Sequence, residues 1–138
     1  MIAVATAGAI YSLYDSSDAH HIDFVRLFQR SDLSIVAPAF VLPEADYLIR
    51  NRLGAAAQAD FLQGLTRGFF TVEPTSSTDW SAAAGLIREN PGLRLGLTDA
   101  TVVAVTERLK ARVVLTTNEK RFRRLRTTER LTLLPTDL

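Results

Sequence analysis

The chain has 138 residues, of which 47% are hydrophobic and 22% are charged, and its formal net charge is +1. These values predict one globular domain over residues 1–138 and exclude a disordered or strongly charged chain. The absence of cysteine excludes disulfides and thiolate metal sites and favours a reducing, cytoplasmic location. The apolar run at the start is too short to span a bilayer, so we expect no membrane association.

Short apolar runs alternate with amphipathic helical patterns along the whole chain. Strands are expected at residues 2–5, 33–37, 69–72, 112–116 and 131–134, and helices between them. The expected strands are continuous apolar runs, which is typical of parallel strands covered on both faces. We therefore predict an α/β fold, with three layers (α/β/α) around a central, mostly parallel sheet of about five strands.

The clearest helix start lies in the stretch LGLTDATVVAV, residues 95–105. Thr98 is a good N-cap, because its hydroxyl can accept a hydrogen bond from a free N–H of the first turn. Asp99 would then lie in that first turn, where the helix dipole favours a charged carboxylate. Asp99 is therefore either a favourable first-turn acid or a carboxylate placed to bind a metal ion.

Polar residues from separate segments are expected at one edge of the sheet. In parallel sheets, ligands bind beyond the carboxyl ends of the strands. Thr6 ends the first strand, Glu44 follows the second, and residues 116–118 follow the fourth. Together with Asp99, Glu44 could coordinate Mg²⁺ or Mn²⁺, because these ions prefer oxygen ligands. Such an ion could activate water and neutralise the charge of a phosphodiester.

The segment from residue 108 to residue 130 is strongly basic. It holds nine of the 16 Lys and Arg residues and only two acids, Glu119 and Glu129. A surface of this kind can attract phosphate backbones or an acidic partner. It can equally be a solvated face whose cations suit helix C-termini.

Four segments, in order, resemble the motifs of the PIN-domain ribonucleases, specifically the VapC-like toxins of toxin–antitoxin pairs. They are AGAIYSL (7–13) with DSSDAHH (15–21), VAP (36–38) with PEADYL (43–48), LGLTDA (95–100) and VLTTNEKRF (114–122). The resemblance covers nearly the whole chain. It implies Mg²⁺- or Mn²⁺-assisted cleavage of RNA, a homodimer, and neutralisation by a cognate VapB-like antitoxin.

The resemblance assigns the metal ligands residue by residue. Glu44 matches the acid of the second motif and Asp99 the acid of the third. The first-motif acid falls on Thr6, or on Ala5 if the turn holds one extra residue, and the last falls on Asn118. Because two acids remain where the family has three or four, we predict weak metal affinity and reduced or absent cleavage.

The enzyme interpretation also assigns supporting roles. Glu44, Asp99 and Asn118 are the expected catalytic residues, Thr98, Thr116 and Thr117 are expected to hydrogen-bond to the ligands, and Arg121, Arg123 and Arg124 are expected to contact RNA. One alternative is a PIN fold without catalysis that binds RNA or the antitoxin. The other is an unrelated doubly wound domain, which would place Glu44 and Asp99 far apart.

Overall fold

The structure, a computed structural model, describes every residue from Met1 to Leu138. Five strands form one sheet in the order β3-β2-β1-β4-β5. They are β1 (Ile2–Ala5), β2 (Ser34–Pro38), β3 (Thr71–Glu73), β4 (Val113–Leu115) and β5 (Thr132–Leu134). All neighbouring strands are parallel, so the predicted α/β class with a central sheet of about five strands is confirmed.

Seven α-helices connect and cover these strands. They are α1 (Ala7–Tyr14), α2 (His21–Phe28), α3 (Leu42–Leu53), α4 (Ala55–Arg67), α5 (Ser77–Glu89), α6 (Leu97–Arg108) and α7 (Glu119–Arg123). Short 3₁₀ turns lie at Ala39–Val41 and Pro91–Leu93. No helix is both long and apolar enough to cross a membrane.

The strand order fixes where a ligand can bind. From β1 the sheet extends through β2 to β3 on one side and through β4 to β5 on the other. The chain therefore changes direction at β1, and the segments that follow β1, β2 and β4 meet at one edge of the sheet. This switch point is where open α/β sheets bind ligands.

The core lies on both faces of the central strands. Val4, Val114 and Leu115 have no exposed surface, as expected for strands with helices on each side. Helix α6 is buried on nearly all sides, since every residue from Ala100 to Thr106 is buried. The Thr106 hydroxyl donates to the Val102 carbonyl at 2.7 Å, so this polar group is hydrogen-bonded inside the core.

Two of the helices end at a glycine. Gly54 follows α3 with φ 93° and Gly68 follows α4 with φ 73°, a backbone region that favours glycine. The third strand was expected at residues 69–72 and instead spans Thr71–Glu73, because the exposed Phe69 and buried Phe70 belong to the turn before it.

The predicted cap of α6 is wrong. This helix begins at Leu97 with Gly96 at the N-cap and no side-chain capping bond, so Thr98 lies inside the first turn. Gly96 adopts an extended conformation that lets the chain enter the helix earlier. Asp99 is nevertheless in the first turn, as predicted.

Candidate metal and nucleic-acid site

Thr6 joins the end of β1 to the end of β4. Its hydroxyl donates to the Leu115 carbonyl at 2.8 Å and accepts from the Ala9 N–H at 3.3 Å, which caps α1. The residue is buried, and both hydrogen-bonding functions of its hydroxyl are in use. Ala5, the last residue of β1, is fully buried and pairs with Leu115. The assignment of the missing acid to Thr6 or Ala5 stays a prediction.

The turn after β4 presents Asn118 beside the start of α1. The Asn118 N–H donates to Thr116 Oγ1 at 2.9 Å, and the Asn118 side chain makes no capping bond to α7. A Cβ atom added at Gly8 would lie only 2.5 Å from Thr117 Oγ1, which shows how closely this turn packs against α1. Thr116 and Thr117 therefore shape the turn that carries Asn118.

The contact between Gly8 and Thr117 can be tested by substituting both residues. Alanine normally stabilises a helix over glycine by about 0.5–1 kcal/mol. In the native chain, Gly8→Ala is expected not to stabilise the protein, because the stiff Thr117 side chain must move to make room for the added Cβ. In a Thr117→Ala background, Gly8→Ala is expected to stabilise the protein. A double-mutant cycle measured by urea unfolding should therefore give a coupling free energy of about 1 kcal/mol between the two positions. Equal effects of Gly8→Ala in both backgrounds would contradict the contact.

Glu44 and Asp99 each lie in the first turn of a helix, and their charges interact. Glu44 lies in the first turn of α3, directly after Pro43, and Asp99 lies in the first turn of α6. Partial burial raises the pKa of Glu44, and the nearby negative charge of Asp99 raises this pKa further. Carboxylates whose charges repel each other favour a nearby cation or the protonation of one of them.

The acidic pair is small for a metal centre. No group of three or more His, Cys, Asp or Glu side chains is placed to hold one ion. Mg²⁺ in proteins is commonly bound through one or two carboxylates and keeps several waters, so the number and type of the donors Glu44 and Asp99 suit such an ion. Asn118 adds no charge to them. The donor set thus fits a divalent cation that is held weakly.

Arg121 occupies a position that the sequence did not predict. Its Nη1 atom donates to Asp99 Oδ2 at 2.9 Å, and the side chains of Arg121 and Asp99 are 41% and 27% exposed. The expectation for Arg121 was a contact with RNA phosphates. The two residues are 22 positions apart and lie on different helices, so no helical spacing could have indicated this pair.

The other expected RNA contacts are Arg123, the last residue of α7, and Arg124, which follows it. Arg123 pairs with Asp137, whereas Arg124 is exposed and takes part in no ion pair. Lys120, Arg123 and Arg124 line one shallow depression with Glu119 and Thr136. We call Lys120, Arg121, Arg123 and Arg124 the α7 basic surface.

The sequence matches the PIN domain profile over residues 7–127. The chain belongs to the PIN domain family. The match begins just after Ala5 and Thr6, the two candidate positions of the missing acid. This PIN domain is 25% identical to Ribonuclease VapC26 of Mycobacterium tuberculosis over 123 residues, which cover 89% of this chain and 91% of that protein. The predicted resemblance to VapC-type PIN domains is confirmed.

Solved structures of VapC-type proteins share the fold of this PIN domain. VapC20 of Mycobacterium tuberculosis, a toxin that cleaves the sarcin-ricin loop, has a TM-score of 0.74 at 19% identity, with 81% of this chain and 86% of that chain covered. VapBC2 of Rickettsia felis, solved with a fragment of promoter DNA, has a TM-score of 0.72 at 18% identity, with 96% and 97% covered. DNA-bound VapBC of Salmonella typhimurium has a TM-score of 0.72 at 14% identity, with 96% and 98% covered.

Proposed function

We propose that this PIN domain is a VapC-like, metal-dependent endoribonuclease toxin whose metal site lacks one acid, so that metal binding and cleavage are weak. The observation that carries the proposal is that Glu44 and Asp99, in the first turns of α3 and α6, are near enough for their charges to interact. The sequence relative named as a ribonuclease supports the same reaction class.

Each candidate residue then has a role in the proposed reaction. Glu44 and Asp99 hold Mg²⁺ or Mn²⁺, and Asn118 lines the same site from the turn after β4. When bound, the ion supplies activation of water and neutralisation of phosphodiester charge. Thr116 and Thr117 hold the turn of Asn118, and Thr98 lies beside Asp99 in the first turn of α6.

A Mn²⁺ titration tests the two ligands. The native chain is expected to bind weakly, and Glu44→Gln and Asp99→Asn are each expected to lose at least about tenfold in affinity, because each removes a negative charge next to a dication. Asp46→Asn is the matched control, since Asp46 lies on the same helix as Glu44 but hydrogen-bonds to Gln58. Equal losses in all three variants would refute the assignment.

The α7 basic surface is proposed to contact RNA phosphates through Arg121, Arg123 and Arg124. Because Arg124 has no ion-pair partner, it is free to engage RNA without breaking a bond. Arg124→Gln is expected to weaken single-stranded RNA binding and to reduce its salt slope by about 0.7. The control is Arg67→Gln, at the end of α4 just before β3 and therefore at the opposite edge of the sheet. An unchanged slope in Arg124→Gln would contradict the role.

The proposed partners follow from the similar structures, several of which are VapBC complexes. We propose a cognate VapB-like antitoxin, a homodimer and a cytoplasmic location for this chain. The second candidate function is a PIN domain without catalysis that binds RNA or the antitoxin. It is favoured by the absence of an acid at residues 5 and 6.

A further inference from the structure

The Asp99 carboxylate has two charged neighbours, one negative and one positive. Glu44 lies close enough for the charges to repel, and the Arg121 guanidinium is bonded to Asp99 Oδ2 at 2.9 Å. The guanidinium thus holds a positive charge at the carboxylate that is the proposed ligand of a dication. No other cation forms an ion pair with Asp99.

The position of Arg121 on α7 allows its side chain to leave Asp99 and bind another partner. Helix α7 has only five residues, and its position is fixed by Phe122, which is buried in the core. Arg121 itself is exposed, so its long side chain can turn without disturbing that anchor. An ion pair exposed to this degree is weak enough to exchange.

We propose that Arg121 is an internal counter-cation that competes with a divalent metal ion for Asp99 and thereby sets the metal affinity of the site. The inference rests on the proposed metal site. A guanidinium at hydrogen-bond distance from Asp99 must leave before an ion can use the same oxygen, and its charge repels a dication nearby. Once displaced from Asp99, the Arg121 side chain is available to an RNA phosphate, like the other cations of the α7 basic surface.

The strength of the Arg121–Asp99 ion pair sets how much Arg121 weakens metal binding. Exposed ion pairs shift an equilibrium by up to about fivefold. Removing the positive charge beside a dication adds to this. We therefore expect Arg121→Gln to bind Mn²⁺ about three- to tenfold more tightly than the native chain.

The test measures Mn²⁺ binding directly, by electron paramagnetic resonance of the free ion, and requires no cleavage assay. Arg124→Gln is the matched control: it removes the same charge from the end of α7, but from a residue with no ion-pair partner. It is expected to change the Mn²⁺ affinity by less than about twofold, because exposed charges are strongly screened. Arg121→Lys keeps the charge and is expected to fall between the native chain and Arg121→Gln.

The outcomes separate this inference from the proposed function. Tighter binding confined to Arg121→Gln, and lost again when Asp99→Asn is added, supports the competition. If the native chain and Arg121→Gln bind Mn²⁺ equally, the competition is refuted while the metal site stands. If none of the variants binds Mn²⁺ at millimolar concentration, both the metal site and the competition are refuted.

Discussion

Replacing Ala5 by aspartate is expected to strengthen Mn²⁺ binding by at least about tenfold and to raise RNA cleavage to a measurable rate. Ala5 is the last residue of the central strand and pairs with Leu115 of β4, so it lies at the edge of the sheet beyond which Glu44 begins α3. A third carboxylate there adds a negative charge close to the cation. The measurements are a Mn²⁺ titration and the cleavage of a labelled RNA.

Residue 5 is the better position for this test because the side chain of residue 6 already makes structural hydrogen bonds. The Thr6 hydroxyl caps α1 through the Ala9 N–H and binds the Leu115 carbonyl. Aspartate is itself a strong N-cap, so its carboxylate in Thr6→Asp would be held by the same N–H. Thr6→Asp is therefore the matched control, with a smaller expected gain. If neither substitution produces metal binding or cleavage, the binding-module function is favoured over the nuclease.

Ala5→Asp is also expected to lower the stability of the fold, and this loss provides a second measurement. Ala5 has no exposed surface, and an uncompensated carboxylate at a buried position destabilises the fold. Added Mn²⁺ is expected to restore this loss, because a ligand that binds only the folded state stabilises it. The Tm of Ala5→Asp should therefore rise with Mn²⁺ more than the Tm of the native chain. Equal shifts would argue against direct contact between residue 5 and the ion.

Asp79→Asn is expected to lower the free energy of unfolding by about 2–3 kcal/mol, because it breaks a buried ion pair and a capping box together. Asp79 is 1% exposed and accepts from Arg108 Nε at 2.9 Å and Nη2 at 3.1 Å. It also accepts from the Ser76 N–H at 2.9 Å. These bonds join the start of α5 to the end of α6, and α6 carries Asp99 at its other end.

The control for this prediction is the Arg30–Asp32 pair. Two Arg30 nitrogens also donate to the Asp32 carboxylate, but both side chains are exposed. Asp32→Asn is expected to have a much smaller effect than Asp79→Asn in urea unfolding, since exposed ion pairs contribute little. Similar losses in the two variants would show that burial does not decide the contribution of such pairs here.

The pH dependence of the Asp79 effect has a definite sign. Burial acts to raise the pKa of Asp79, but the bonds from Arg108 and from the Ser76 backbone outweigh it and hold this pKa below 3.8. The contribution of the ionised form is therefore complete above the pKa of the unfolded chain and is lost as the pH falls through the lower folded value. The stability difference between the native chain and Asp79→Asn should shrink below about pH 4. A difference that does not change with pH would contradict this.

The architecture follows from patterns that are local in sequence. Continuous apolar runs around Val4, Ile35 and Val114 predict buried parallel strands, and the structure has a strand at each of them. The position of Glu44 follows from one general rule, since a helix that follows a parallel strand begins at the carboxyl edge of the sheet. The rule does not cover Asp99, because α6 follows α5 and not a strand.

Other features depend on contacts between distant residues, which no periodicity encodes. Arg121 meets Asp99 across 22 positions, and Arg108 meets Asp79 across 29. The double hydrogen bonding of Thr6 requires the end of β4 to lie beside it. The cap predicted at Thr98 is wrong because Gly96 starts the helix earlier, a choice that depends on how the preceding turn packs.

The central claim is that Glu44 and Asp99 form the remaining part of a metal site. A crystal structure of the chain soaked in Mn²⁺, with anomalous data collected for manganese, tests it most directly. We expect an anomalous peak between the two carboxylates, with the Arg121 side chain turned away from Asp99. Occupied Mn²⁺ positions elsewhere on the protein, with none between Glu44 and Asp99, would contradict the account.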